Sequence, residues 1–65
     1  MVEILDTKGG GWKVVGAAVL DWLAARGLVT AIRADRATLE RLLGVRPLPA
    51  RVTLGASTVA VVVWR

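Results

Sequence analysis

Polar and apolar positions alternate at the start of the chain. Val2-Glu3-Ile4-Leu5-Asp6 fits a short strand, with Thr7 to Gly11 as the turn after it. From Trp12 the pattern changes. Val14, Val15, Val19, Leu20, Trp22 and Leu23 point in nearly every direction at a 3.6-residue period, and only Lys13 and Asp21 are charged before Arg26. This predicts a helix over 12–26 that is apolar almost all round, ended by Gly27 in the left-handed conformation. Leu28 to Arg33 is β-branched and apolar, which predicts a second strand. Asp35 caps a second helix over 36–43, with Leu39, Leu42 and Leu43 as its apolar stripe. Gly44 ends that helix, and Pro47 and Pro49 prevent its continuation. Arg51 to Leu54 alternates as a third strand, Gly55 to Thr58 turns, and Val59 to Trp64 is a fourth strand, apolar on both faces.

These elements predict one α+β domain over 1–65, a two-layer sandwich in the order β-α-β-α-β-β. Two helices lie on one face of a small mixed four-stranded sheet. A strand–helix–strand unit implies that its two strands run parallel with a right-handed crossover. The first helix and last strand are too apolar for one short chain to cover on all sides, so a homodimer is expected. The alternative is that Ala17, Ala18, Ala24 and Ala25 simply face water.

Composition narrows the chemistry. There is no cysteine and no histidine. This removes disulfides, thiolate metal sites and the usual near-neutral proton shuttle. The five carboxylates show no metal-ligand spacing, Asp35 is a cap, Glu40 a solvated helix charge, and Ser57 has no base beside it. No enzyme, cofactor or metal site is expected. Val14 to Leu20 is too short to span a membrane, and Glu3 and Asp6 do not fit a signal peptide. A cytoplasmic location is the expectation.

The charge is uneven. Residues 1–21 hold two lysines against three carboxylates, whereas residues 22–65 hold seven arginines against Asp35 and Glu40, within a net charge of +4. A basic half points to a polyanion such as nucleic acid. Arg33, Arg36, Arg46 and Arg51 would then contact backbone phosphates with little sequence preference. An arginine-rich composition inherited from a GC-rich genome explains the same excess. Trp12 and Trp64 could stack on bases, or serve packing. Gly9-Gly10-Gly11, placed at the amino end of the predicted helix and flanked by Lys8 and Lys13, could hold a phosphate. A plain turn between strand and helix is the simpler reading of the glycines.

Lys8, then Val14, Gly16 and Ala17, then Ala31-Ile32 and Ala34, resemble the pattern of the Alba and stage V sporulation protein S group. The likeness runs from about Val2 to Leu43. The same element order occurs in the C-terminal domain of translation initiation factor three and in TusA-like sulfur carriers. The resemblance implies a dimer that meets nucleic acid through basic residues after the first strand, here Lys8 and Lys13, and on the hairpin, where Arg51 would share the role. Leu5-Asp6-Thr7-Lys8-Gly9 also resembles the TusA-like opening, but the Cys-Pro-x-Pro that carries sulfur there is absent. The leading expectation is therefore a small dimeric nucleic-acid-binding protein. The alternative is a structural or protein-interaction module, such as a phage or plasmid accessory protein or an assembly subunit. A third is a nucleotide-binding module at Gly9 to Trp12.

Overall fold

The structure, a computed structural model, describes residues 2–64. Its elements are β1 (Val2–Asp6), β2 (Lys13–Val15), α1 (Ala17–Ala25), β3 (Val29–Ala34), α2 (Arg36–Leu43), β4 (Arg51–Leu54) and β5 (Ser57–Val63). The strands form one mixed sheet in the order β2-β1-β3-β5-β4. The α+β class and the two helices are as expected. The four-stranded sheet is corrected to five strands, and the element order to β-β-α-β-α-β-β.

The added strand lies where a helix was expected to begin. Gly9, Gly10 and Gly11 all take positive φ, +76°, +92° and +90°, a conformation that side chains with a Cβ resist. They reverse the chain. The Asp6 carboxylate accepts a bond from the Lys8 amide at 3.0 Å and pairs with Lys13 Nζ at 3.2 Å, which ties the two ends of the loop together. Val14 and Val15 then sit opposite Glu3 and Val2. Their branched side chains suit a strand better than a first helical turn. Gly16 is still extended, and helix begins only at Ala17.

This reversal changes the topology downstream. The chain enters α1 travelling opposite to β1, so β1 and β3 pair antiparallel, not parallel as predicted from a strand–helix–strand unit. The parallel pair is β3 with β5, linked through α2 and β4.

Ladder partners point to the same side of a sheet, so the register sorts the strand residues into two faces. One carries Val2, Ile4, Val29, Ile32, Ala34 and Val59, all buried, and these join Leu20, Ala24 and Leu39 of the helices in one core. Fully burying an aliphatic side chain of this kind contributes about 1.5–3 kcal/mol. A bulge between Leu5 and Asp6 inserts Thr30 into β3. It lets Val29 and Ile32 both face the core while Thr30 and Ala31 turn the other way. Each helix contributes little to the covering: α1 buries only Leu20 and Ala24, and α2 only Leu39. Val19 and Trp22 of α1 remain about half exposed, at 49% and 53%.

The carboxyl end of α1 is held by the β4–β5 turn. The carbonyl of Ala24 accepts bonds from the Gly27 and Ala56 amides, both at 3.0 Å, and from the Ser57 hydroxyl at 3.3 Å. Ser57, expected in the turn, is the buried first residue of β5. The backbone approach is close enough that a Cβ on Gly55 would lie 2.8 Å from the Ala24 backbone. At α2 the local signals act as read. The Thr38 hydroxyl and amide donate to the Asp35 carboxylate at 2.6 and 3.1 Å, and Gly44 closes the helix in the left-handed conformation.

Two predictions follow from these contacts. Gly55→Ala meets both a left-handed φ and the Ala24 backbone, and should cost about 3 kcal/mol or more. Gly44→Ala has open space and only the left-handed penalty, about 1–2 kcal/mol. Thermal melts should separate the two variants clearly, and equal melting temperatures would disprove the close seating of α1 on the hairpin. The Thr38 hydroxyl, then its amide, hold the Asp35 carboxyl below its ordinary pKa of 3.8. The folded state thus favours the ionised cap, so its stabilisation is complete above the ordinary carboxylate range and fades as pH falls through the lowered folded value. Asp35→Ala should melt below wild type at neutral pH, with the gap narrowing on strong acidification; a gap independent of pH would exclude a charged cap.

Candidate interaction face

Among the described residues, both helices pack into the one core and no helix covers the other side of the sheet. Its open face presents Val14 of β2, Glu3 and Leu5 of β1, Ala31 and Arg33 of β3, Ala60 and Val62 of β5, and Arg51 and Thr53 of β4, as the ladder partners require. Val14 is 58% exposed and Val62 40%. Trp64 continues the alternation of β5 beyond Val62 and is 49% exposed, its amide bonded to the Ala34 carbonyl at 3.0 Å.

The centre of this face is ionic but self-contained. Glu3 and Arg33 are cross-strand partners on β1 and β3, and Arg33 Nε donates to Glu3 Oε1. Trp12, just before β2, lies over the Arg33 guanidinium with 4.2 Å between Cζ and the ring centroid. The ring's negative face and the carboxylate both stabilise the cation. Side-chain exposure falls to 31% for Arg33 and 18% for Glu3. Apolar side chains surround a pair of charges that already satisfy each other.

The residues nominated from the sequence do not converge. Lys8 and Lys13 lie at the β1–β2 loop on one edge of the sheet, and Arg51 opens β4 on the opposite edge. Four strand spacings separate β2 from β4, about 19 Å, which exceeds the Debye length of about 8 Å at physiological salt. Arg33 is central. Arg36 starts α2 and Arg46 follows it, on the helical side. Three of the six are engaged: Lys13 by Asp6 at 3.2 Å, Arg33 by Glu3, and Arg46 by Glu40 at 3.4 Å. Gly9, Gly10 and Gly11 stand in a hairpin loop, away from any helix amino end. The expected cradle of free helical N–H groups at these glycines is therefore corrected to a turn.

The helical side offers shallow grooves. One of about 260 Å³ beside the hairpin is lined by Asp6, Thr7, Lys8, Lys13, Leu23 and Leu28. Another of about 340 Å³ lies by Val2, Ala17, Thr38, Arg41 and Leu42. Among the described residues no three carboxylates gather as a metal site would require, and no helix is long and apolar enough to cross a membrane.

The apolar run that predicts a helix from Trp12 conceals the Glu3–Arg33–Trp12 group in the sequence. A signal existed: two alternating segments, VEILD and WKVV, flank a glycine loop, which is the mark of a hairpin. Removing one charge should show the dependence. Arg33→Met leaves Glu3 half-buried without its partner and should cost about 1–3 kcal/mol in urea denaturation. Adding Glu3→Gln should restore part of that loss. Strictly additive costs would show that the two groups do not interact.

Comparison with protein-family models, with curated proteins and with solved structures finds no match to this chain. The open sheet face is accordingly the feature on which a functional reading rests.

Proposed function

We propose that this protein is a non-enzymatic protein-interaction module, an assembly or accessory subunit that works through the open face of its sheet. One observation carries this reading: Val14, Val62 and Trp64 stay exposed on a face whose central charges are already paired. Exposed apolar groups grouped on one surface mark interaction sites in soluble proteins. The outer side of α1 is a weaker candidate. There the Arg26 guanidinium lies 3.8 Å from the centre of the Trp22 ring and also donates to the Trp22 carbonyl, which shields the ring.

Nucleic-acid binding is the second reading, and a different observation favours it. Trp12, Trp64, Arg33 and Arg51 belong to the same open face, and single-strand binders combine stacking rings with cations in this way. The dispersal of the other cations weighs against it. So does the capture of Arg33 by Glu3, since a phosphate would have to compete with a carboxylate already in place.

The two readings separate in one set of measurements. A hydrophobic dye such as bis-ANS should fluoresce with dilute wild-type protein and lose most of that signal with Val62→Glu. An unchanged signal in the variant would overturn the open face as the working surface. Labelled single-stranded oligonucleotides should show no salt-sensitive anisotropy change. Binding that weakens steeply with salt and vanishes in Arg51→Glu would put nucleic acid in place of a protein partner.

A further inference from the structure

We infer that the occupant of the open face is a second copy of this chain, seated sheet to sheet about a twofold axis. This inference rests on the open face being the working surface and adds the identity of the partner. The first support is charge. Glu3 and Arg33 neutralise each other within one chain, so burying the face leaves no ionised group without a partner, the arrangement that is costly at an interface. Two such faces therefore meet with apolar, compensated centres. Arg51 lies on the outermost strand, where it remains at the rim. A strongly acidic partner would find the central cation taken, and a basic one would find the central carboxylate taken. A surface of the same neutral, apolar character has neither conflict.

The second support is area. Five strands about 4.8 Å apart and a longest strand of about 20 Å give roughly 400 Å² of flat face. A tryptophan can bury about 150–250 Å², and the half-exposed Trp64 and the partly buried Trp12 add roughly half of that or less each, so the face offers roughly 600 Å² per partner, the low end of specific interfaces and the size of a weak dimer contact. The third is geometry. Sheets pack face to face about 10 Å apart with strands nearly aligned, and apart from the Trp12 ring over Arg33 this side stays open: Val62 of β5 and Val14 of β2 remain exposed there. An isologous pairing closes on itself and leaves no second open sheet to propagate. The result is a four-layer particle, helices outside and two sheets inside.

Sedimentation velocity of the full chain, from about 1 μM to about 1 mM, spans the range of weak to moderate self-association. The wild type should move from the 6.9 kDa monomer to twice that mass. Val62→Glu should weaken the dimer at least tenfold, and so should Thr58→Glu, at an exposed position that shares the open face with its ladder partner Thr53 and carries little folding risk. Circular dichroism should show both variants folded. Val19→Glu, on the outer side of α1, should leave the dimer intact. High salt should not dissociate it, because the contact is apolar. A wild type that stays at 6.9 kDa to 1 mM overturns the inference; if its dye signal still depends on Val62, the open face stands as a docking surface for some other protein. A dimer broken by Val19→Glu but not by Val62→Glu overturns it as well, placing the twofold contact on α1.

Discussion

Two helices of nine and eight residues have to shield a five-stranded sheet, and they suffice for one side only. Most other features of this protein follow from that shortage. Among the described residues, the covered side gathers the large side chains that are fully buried: Ile4, Leu20, Val29, Ile32, Leu39 and Val59. The uncovered side has to tolerate water while still holding central strands together. It does so with a cross-strand ion pair, threonines, and small residues such as Ala31, which is buried by its neighbours without a covering layer. A bulge in β3 keeps the sorting in order, since strict alternation from Ile32 would otherwise turn Val29 out of the core.

Direction is set by the glycine loop. Without β2, β1 and β3 would be joined by a crossover and run parallel. With β2, the chain reverses before α1 and the centre of the sheet becomes antiparallel on one side of β3 and parallel on the other. The consequence reaches the surface chemistry, because antiparallel pairing sets Glu3 directly beside Arg33, and β2 brings Trp12 over the pair. The Ala24 carbonyl, with its three donors, then fixes α1 against the far hairpin. These two loops, one flexible in composition and one tightly packed, position the helical layer between them.

Legibility in the sequence tracked the range of the interaction. The span of α2, its Asp35 cap and its Gly44 terminus depend on contacts within a few residues and were read correctly, as was β4. The helical reading of 12–16 failed because Val14 and Val15 continue an apolar run into Ala17 and beyond, where period alone does not separate a short strand from a helix. That one misassignment also inverted the expected pairing of β1 with β3 and hid the Glu3–Arg33 pair, whose members are 30 residues apart. The apolar excess of α1 was legible: half-exposed Val19 and Trp22 are what an all-round apolar helix leaves when one sheet covers it. Charge was legible as a total but not as a place. The six arginines among the described residues, close together in the sequence, are divided in space between the open face, the end of α1 and the surroundings of α2.

The partners of those cations bear on what the excess is for. Arg26 and Arg33 lie over Trp22 and Trp12, and Arg33 and Arg46 are paired with carboxylates. A guanidinium over an indole ring satisfies the ring face while keeping its own donors available for solvent or a carboxylate. Two of the three tryptophans are thereby made tolerable at a surface. Trp64 has no such cover among the described residues. Much of the basic character thus serves to hold aromatic rings and carboxylates in place, and less of it is free to track a polyanion than the net charge of +4 implies. The uncovered ring lies on the same side of the sheet as Val62 and Val14, where apolar contact and not charge has the most to gain from a partner.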